Sequence, residues 1–131
     1  MDEKEFKERT KKLALRIIQL VEALPQNRTA DVIGRQLLRS GTSVGSNYRA
    51  ACRGKSTADV ISKLAIVEEE GDECMYWLEL LGESDLVPKA KLLDLTSECN
   101  EIVAMTVASI KTLRKGSNPK SKMGSVCQSK I

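Results

Sequence analysis

The amino-acid sequence predicts an all-α fold, an up-down-up-down antiparallel bundle of four helices. Apolar residues recur at spacings of 3 and 4 in four stretches, which is the pattern of a helix with one buried face. Short segments containing Pro or Gly separate these stretches, and short connections favour antiparallel neighbours. The chain has only four aromatic residues, fewer than a β-sandwich usually contains. Its length of 131 residues fits one domain.

The first two helices are separated at Pro25. The first covers about residues 3–24, and the second begins near Thr29, a suitable N-cap, and runs to about Arg53. The apolar positions of the first helix are Phe6, Leu13, Ile17, Leu20 and Leu24, and those of the second are Ile33, Leu37, Val44, Tyr48 and Ala51.

Residues 40–46 (SGTSVGS) are poor helix formers, because each glycine costs about 0.5–1 kcal/mol relative to alanine. The apolar residues on either side nevertheless remain in phase at about 100° per residue. We therefore predict one continuous helix, in which Gly34, Gly41 and Gly45 let another helix approach closely. A Walker A phosphate loop is disfavoured, because no lysine follows the segment and no strand precedes it.

The third and fourth helices follow breaks at Gly54 and Gly82. Ser56 or Thr57 can cap the third helix, which runs to about Leu81, and Pro88 starts the fourth, which covers about residues 88–115. The third helix has its apolar positions at Val60, Leu64, Val67, Gly71, Cys74, Leu78 and Leu81, and the fourth at Leu92, Leu95, Cys99, Ile102, Thr106 and Leu113.

The net charge of +3 comes from the C-terminal segment. Residues 116–131 contain three lysines and no acid, whereas residues 1–115 contain 18 basic and 18 acidic residues. We therefore predict a neutral bundle over 1–115 and a basic, disordered tail over 116–131. Within the bundle the charge is segregated: residues 28–55 carry six bases and one acid, and residues 56–85 carry one base and nine acids.

Several classes of site and location are excluded or disfavoured by composition. The absence of histidine excludes histidine-based catalysis and histidine metal sites. The four cysteines lack a CxxC spacing and fit reduced thiols. No apolar run approaches the roughly 20 residues that cross a bilayer, and no secretory segment follows Met1, so we expect a cytoplasmic protein without a membrane partner.

Two acidic motifs are the strongest indication of an enzyme. The pattern EExxE at residues 69–73 and Glu98-x-x-Glu101 resembles the all-α nucleoside-triphosphate pyrophosphohydrolases, which hold magnesium through such carboxylates. At about 100° per residue, however, these carboxylates mostly point away from the bundle interior. A solvated acidic face is favoured, and we predict no catalytic residue, cofactor or metal site.

The second helix carries an arginine stripe, formed by Arg35, Arg39, Arg49 and Arg53. These residues lie within about 80° of one another, opposite the apolar face. Such a stripe can follow a phosphate backbone, which makes RNA or DNA a candidate partner. Alternatively, the arginines pair with carboxylates of the acidic third helix.

The third helix has an unusually apolar outward face, which includes Ile66, Tyr76, Trp77 and Leu80. Trp and Tyr are enriched in interfaces, so this face predicts a homo-oligomer; the alternative is that the first or fourth helix covers it.

Polar residues also lie beside the predicted core. Ser40, Asn47 and Glu70 form a structural polar motif, and antiparallel packing predicts a hydrogen bond between Asn47 and Glu70.

Residues 37–49 (LLRSGTSVGSNYR) and 76–81 (YWLELL) resemble the bacterial four-helix bundle family encoded in intervening sequences of 23S rRNA genes. The resemblance covers about residues 30–115. It implies a ring-like homopentamer without established enzymatic activity, and a distant kinship to a bundle that binds nucleic acid and a reverse transcriptase. We therefore expect a non-catalytic oligomeric bundle that binds RNA, DNA or a protein that handles them. The alternatives are a purely structural interaction module and a magnesium-dependent pyrophosphohydrolase.

Overall fold

The computed structural model describes residues 1–116, which form four α-helices and no β-strand. The helices are α1 (Glu3–Glu22), α2 (Arg28–Cys52), α3 (Thr57–Glu83) and α4 (Lys89–Lys115). The predicted all-α class is confirmed, and α2 runs without interruption through residues 40–46. None of the four helices is both long and apolar enough to span a membrane. The predicted tail, except for Gly116, lies outside the described residues.

Three of the helices begin at a side chain that caps the first turn. The side chains of Asp2, Asn27 and Ser56 each accept a hydrogen bond from the backbone N–H three residues later, at 2.8–3.0 Å. The predicted cap at Thr29 is wrong, because Asn27 occupies the N-cap position and Thr29 already lies inside the helix. Pro88 takes the N-cap position of α4 and provides no side-chain hydrogen bond.

Consecutive helices pack as antiparallel neighbours, and α4 returns to α1. The rings of Phe6 and Tyr48 meet edge to face at 4.7 Å, so the start of α1 lies beside the end of α2. Ser40 contacts Cys74 between α2 and α3, and Arg9 binds carboxylates of α4. Within one chain, the four helices therefore follow one another in the predicted up-down-up-down order.

One apolar core receives side chains from all four helices. Every apolar position predicted for α2, α3 and α4 is buried, whereas Leu20 and Leu24 near the end of α1 are half-buried. The largest fully buried side chains are Phe6, Leu13, Ile17, Leu37, Val44, Tyr48, Leu64, Val67, Leu78, Leu81 and Ile102. Their removal from water supplies the main stabilisation of the bundle.

Two glycines allow close helix packing. A Cβ at Gly41 would overlap the end of the Ile17 side chain on α1. On α3, a Cβ at Gly71 would lie 2.5 Å from Cγ2 of Val103 on α4, closer than side-chain atoms approach in folded proteins. The predicted role of the α2 glycines in close approach is confirmed, and Gly71 plays the same role between α3 and α4.

Candidate nucleic-acid interface

The arginine stripe is divided between the two neighbours of α2. Relative to Arg35, an ideal helix places Arg39 at about +40° and Arg49 at about −40°. Arg39 accordingly reaches α3, whereas Arg49 lies beside α1. Arg35 pairs with Asp31 one turn earlier on the same helix, at 2.9 Å between Nη2 and Oδ2. A surface pair of this kind contributes about 0–1 kcal/mol.

Arg39 joins α2 to α3 through two carboxylates. Its Nη1 donates to both oxygens of Glu70, at 3.2 and 3.3 Å, and its Nη2 donates to Oε2 of Glu73. The same Glu73 oxygen accepts a hydrogen bond from Nε1 of Trp77 at 3.2 Å. For Arg39, the structure therefore shows the predicted alternative, in which the arginine pairs with carboxylates of the third helix. The charge of Arg39 is compensated within the chain.

Arg49 and Arg53, at the end of α2, are exposed. Neither makes an ion pair with a residue in the range 1–116. The stripe therefore contains two compensated arginines at its start and two uncompensated arginines at its end.

A shallow groove of about 290 Å³ lies between α1 and α2 beside Arg49, and we call it the basic groove. Its rims carry Lys7 and Lys11 of α1 and Arg49 of α2. Lys7 also binds Glu3, with Nζ 3.2 Å from Oε2. No acidic residue of the described chain lines the basic groove, whose complete lining is Lys7, Thr10, Lys11, Ala14, Thr42, Gly45, Ser46 and Arg49.

The predicted hydrogen bond between Asn47 and Glu70 is wrong. Asn47 donates from Nδ2 to the carbonyl oxygen of Ser43 at 2.9 Å, and Glu70 accepts from Arg39. Arg39 has the longer side chain and carries a positive charge, so it takes the carboxylate while the short amide binds its own helix. The third member of the polar motif, Ser40, is fully buried and donates to the carbonyl oxygen of Leu37 at 3.2 Å.

Two buried thiols lie next to Ser40. Cys74 donates from Sγ to Oγ of Ser40 at 3.3 Å, and both Cys74 and Cys99 are fully buried. The hydrogen bond with Cys74 and burial together raise the pKa of the Cys99 thiol. A thiol with these properties is a core side chain rather than a nucleophile.

The outward face of α3 is partly covered by its own chain. Trp77 and Leu80 are half-buried against the core, and Ile66 is also half-buried. Tyr76 is 53% exposed and packs edge to face on Trp77, with ring centroids 5.1 Å apart. Tyr76 is therefore the member of the predicted oligomer face that projects furthest into solvent.

The acidic motifs are occupied by arginines. Arg9 of α1 makes a bidentate contact with Glu98, at 2.6 and 2.8 Å, and also reaches Glu101 at 2.7 Å. The guanidinium group lowers the pKa of Glu98 below its usual range. Arg39 holds Glu70 and Glu73 in the same manner. Within residues 1–116, no three acidic or cysteine side chains cluster as a metal ion would require.

A comparison with known protein families shows which family the chain belongs to. Residues 2–108 match the family described as 23S rRNA-intervening sequence protein. The chain belongs to this family. The membership confirms the resemblance seen in residues 37–49 and 76–81, and it extends the match to α1.

A solved structure resembles this 23S rRNA-intervening sequence protein. It is a protein of unknown function from the S23 ribosomal protein family of Bacteroides thetaiotaomicron, with 35% sequence identity and a TM-score of 0.76. The alignment covers 80% of the present chain and 97% of that protein. No protein with a curated description matches the chain significantly.

Sequence reasoning missed three basic residues that matter in this intervening-sequence protein. Lys7 and Lys11 line the basic groove, and Arg9 holds the two carboxylates of α4. Their spacing on α1 is visible in the sequence, since Lys7 and Lys11 are one helical turn apart. Their partners on other helices are not visible, because the pairing depends on which helices are neighbours.

Proposed function

We propose that this protein is a non-catalytic, homo-oligomeric bundle that binds nucleic acid through the basic face shared by α1 and the end of α2. The observation that carries the proposal is the absence, within residues 1–116, of acidic partners for Arg49, Arg53 and Lys11. Cations left without partners on one face are available to phosphate groups.

The division of the arginine stripe supports this choice of face. The acidic residues of α3 would repel phosphate, but α3 lies on the Arg39 side of α2, where Glu70 and Glu73 are held. Arg49 lies on the opposite side, next to the lysines of α1. The neutral overall charge of residues 1–115 therefore conceals a local positive surface.

The carboxylates of the acidic motifs are paired with arginines, and this pairing favours a binding function over catalysis. A magnesium-dependent pyrophosphohydrolase needs several carboxylates that converge on one ion. Here Arg39 holds one pair and Arg9 holds the other, which leaves both pairs committed to interhelical contacts.

A homo-oligomer would bring several basic faces into one particle and raise the local potential. Exposed apolar residues support self-association, since Tyr76 is 53% exposed on α3 and Leu93 is 69% exposed on α4. The family resemblance makes a ring-like pentamer the expected stoichiometry, and the sequence makes a cytoplasmic location the expected one.

The first experiment is a binding titration by fluorescence anisotropy. Labelled single- and double-stranded RNA and DNA are titrated with the full chain at about 50 and 200 mM salt. RNA and DNA are compared in parallel, because contacts between cations and backbone phosphates form with either nucleic acid. We expect binding at the lower salt and weaker binding at the higher salt. No binding at the lower salt would refute the nucleic-acid function and favour the structural interaction module.

The second experiment measures the assembly by multi-angle light scattering. We expect a mass that is a multiple of 14.4 kDa at micromolar concentration. Tyr76→Ala is the appropriate variant, because Tyr76 is mainly exposed whereas Trp77 also packs against its own core. Tyr76→Ala should shift the mass downward with unchanged far-ultraviolet circular dichroism. A wild-type mass near 14 kDa would refute oligomerisation, and an unchanged mass in the variant would remove Tyr76 from the interface.

A further inference from the structure

We propose that the basic groove between α1 and α2 is a phosphate-binding site, and that it takes backbone phosphates of the nucleic acid. This inference rests on the proposed function and assigns a site to it. The groove lies on the face opposite the acidic side of the arginine stripe.

Two small residues are among those that line the basic groove. Gly45 and Ala14 have little or no side chain, and a Cβ at Gly45 would lie 3.2 Å from Oγ1 of Thr10. The two helices therefore run close together, with the backbone near the surface. The resulting space of about 290 Å³ is open to solvent and admits a phosphate group.

The rims of the basic groove carry positive charge on both sides. Lys7 and Lys11 on α1 face Arg49 on α2, and only Lys7 has an acidic partner among residues 1–116. Like charges across a groove repel one another, so this arrangement does not stabilise the bundle by itself. A phosphate bound between the rims removes that repulsion and gains charge-assisted hydrogen bonds from both helices.

The hydroxyl groups at the groove have other partners. Thr42 donates to the carbonyl oxygen of Leu38 at 2.8 Å, and Ser46 donates to that of Ser43 at 3.3 Å. The positively charged side chains of Lys7, Lys11 and Arg49 therefore make the contacts with the phosphate. Contacts of this kind neutralise phosphate without reading base edges, so binding at the groove is independent of sequence.

A second cavity on the same two helices provides an internal comparison. It lies at the turn between α1 and α2, and its lining includes Arg28 and Arg35 together with Glu22 and Asp31. The acids compensate the arginines there, and Arg35 is already paired with Asp31. Arg35 is therefore a matched control, an exposed arginine on the same helix in a neutral setting.

Chemical protection tests the site directly. The full chain is acetylated at lysine with and without single-stranded RNA, and each lysine is quantified by mass spectrometry. We expect RNA to slow acetylation of Lys7 and Lys11 at least threefold, and to leave Lys91, which is exposed on α4, unchanged. Equal acetylation of Lys11 and Lys91 in the presence of bound RNA would refute the groove as the site.

Charge removal tests the energetics. Lys11→Gln and Arg49→Gln should each weaken RNA binding several-fold at about 50 mM salt, and should lower the slope of log affinity against log salt by about 0.7. Arg35→Gln should bind within twofold of wild type. Wild-type affinity in both groove variants would refute the site but leave the proposed function intact.

Failure of the proposed function is distinguishable from failure of the site. If the wild-type chain binds no RNA or DNA at about 50 mM salt, acetylation is repeated with inorganic phosphate and with a nucleoside triphosphate. Protection of Lys11 by either anion would support a phosphate site for a small ligand and reject the nucleic-acid partner. Absence of protection would overturn both.

Discussion

Replacement of Gly41 by alanine tests whether close packing between α1 and α2 determines the register of the bundle. The added Cβ would overlap Cδ1 of Ile17 and would lie 3.1 Å from its Cγ2. Gly41 is buried and Ile17 is fully buried, so neither the added methyl group nor the Ile17 side chain can move into solvent. The overlap must be relieved by a rotamer change of Ile17 or by separation of the two helices.

The sign of the effect follows from two opposing contributions. Alanine is favoured over glycine in a helix interior by about 1 kcal/mol. Overpacking a filled core costs about 1–3 kcal/mol, and the contact with Ile17 also involves the branch point of its side chain. The cost exceeds the gain, and we therefore expect Gly41→Ala to lower the free energy of unfolding by up to about 2 kcal/mol.

A double-mutant cycle with Ile17→Val isolates this contact. The valine lacks Cδ1 and costs about 0.5–1.5 kcal/mol alone. The double variant should be more stable than the sum of the single effects by about 1 kcal/mol. Gly45→Ala is the control, because its Cβ would be 3.2 Å from Oγ1 of Thr10 and needs only a small adjustment.

Urea denaturation followed by circular dichroism provides the measurement, at one protein concentration for all variants. A Gly41→Ala variant more stable than wild type would refute the packing argument. Strict additivity in the cycle would show that the cost of the alanine arises elsewhere than at Ile17.

Three further predictions concern single side chains. Arg9→Gln should destabilise the bundle by about 1–2 kcal/mol at pH 7, because it removes charged hydrogen bonds to Glu98. The folded-state pKa of Glu98 is depressed, so this contribution is present above its unfolded pKa of about 4.3 and is lost as the pH falls through the folded pKa. Urea midpoints of the variant and wild type should therefore converge as the pH is lowered through the folded-state pKa of Glu98; a constant difference would contradict the role of Glu98. Ser109→Ala should keep or raise the thermal midpoint, because the buried hydroxyl lacks a hydrogen-bond partner among residues 1–116; a clear loss would indicate a missing contact. Asn27→Ala should cost about 1 kcal/mol by removing the α2 cap, and Asn27→Asp should retain most of the stability in the same urea assay.

The sequence predicted the helices accurately where the apolar periodicity extended over many residues. Apolar periodicity located the buried positions of α2, α3 and α4, and phase continuity identified α2 as one helix despite its glycines. Helix ends were less certain. Asn27 and Thr29 are both good caps, and their order along the chain does not show which one leaves the helical conformation first.

From the sequence, each candidate site could be predicted only as one face of one helix, without the neighbouring helices that complete it. The helical projection placed Arg39 and Arg49 on opposite sides of the stripe, but it did not show that α3 supplies acids on one side and α1 supplies lysines on the other. The predicted pair of Asn47 and Glu70 failed for the same reason, since a longer and charged competitor was within reach of the carboxylate.

The sequence by itself determined the number of helices, their buried faces and the segregation of charge along the chain. These features repeat every three or four residues and depend on local spacing and burial. Only the tertiary structure decided which charges meet, namely that Arg39 and Arg9 hold the acidic motifs and that Lys11 and Arg49 face each other across the basic groove. Exposed polar contacts contribute little energy and leave little periodic signal, so their partners depend on the order and register of the helices, which the packing of the core determines.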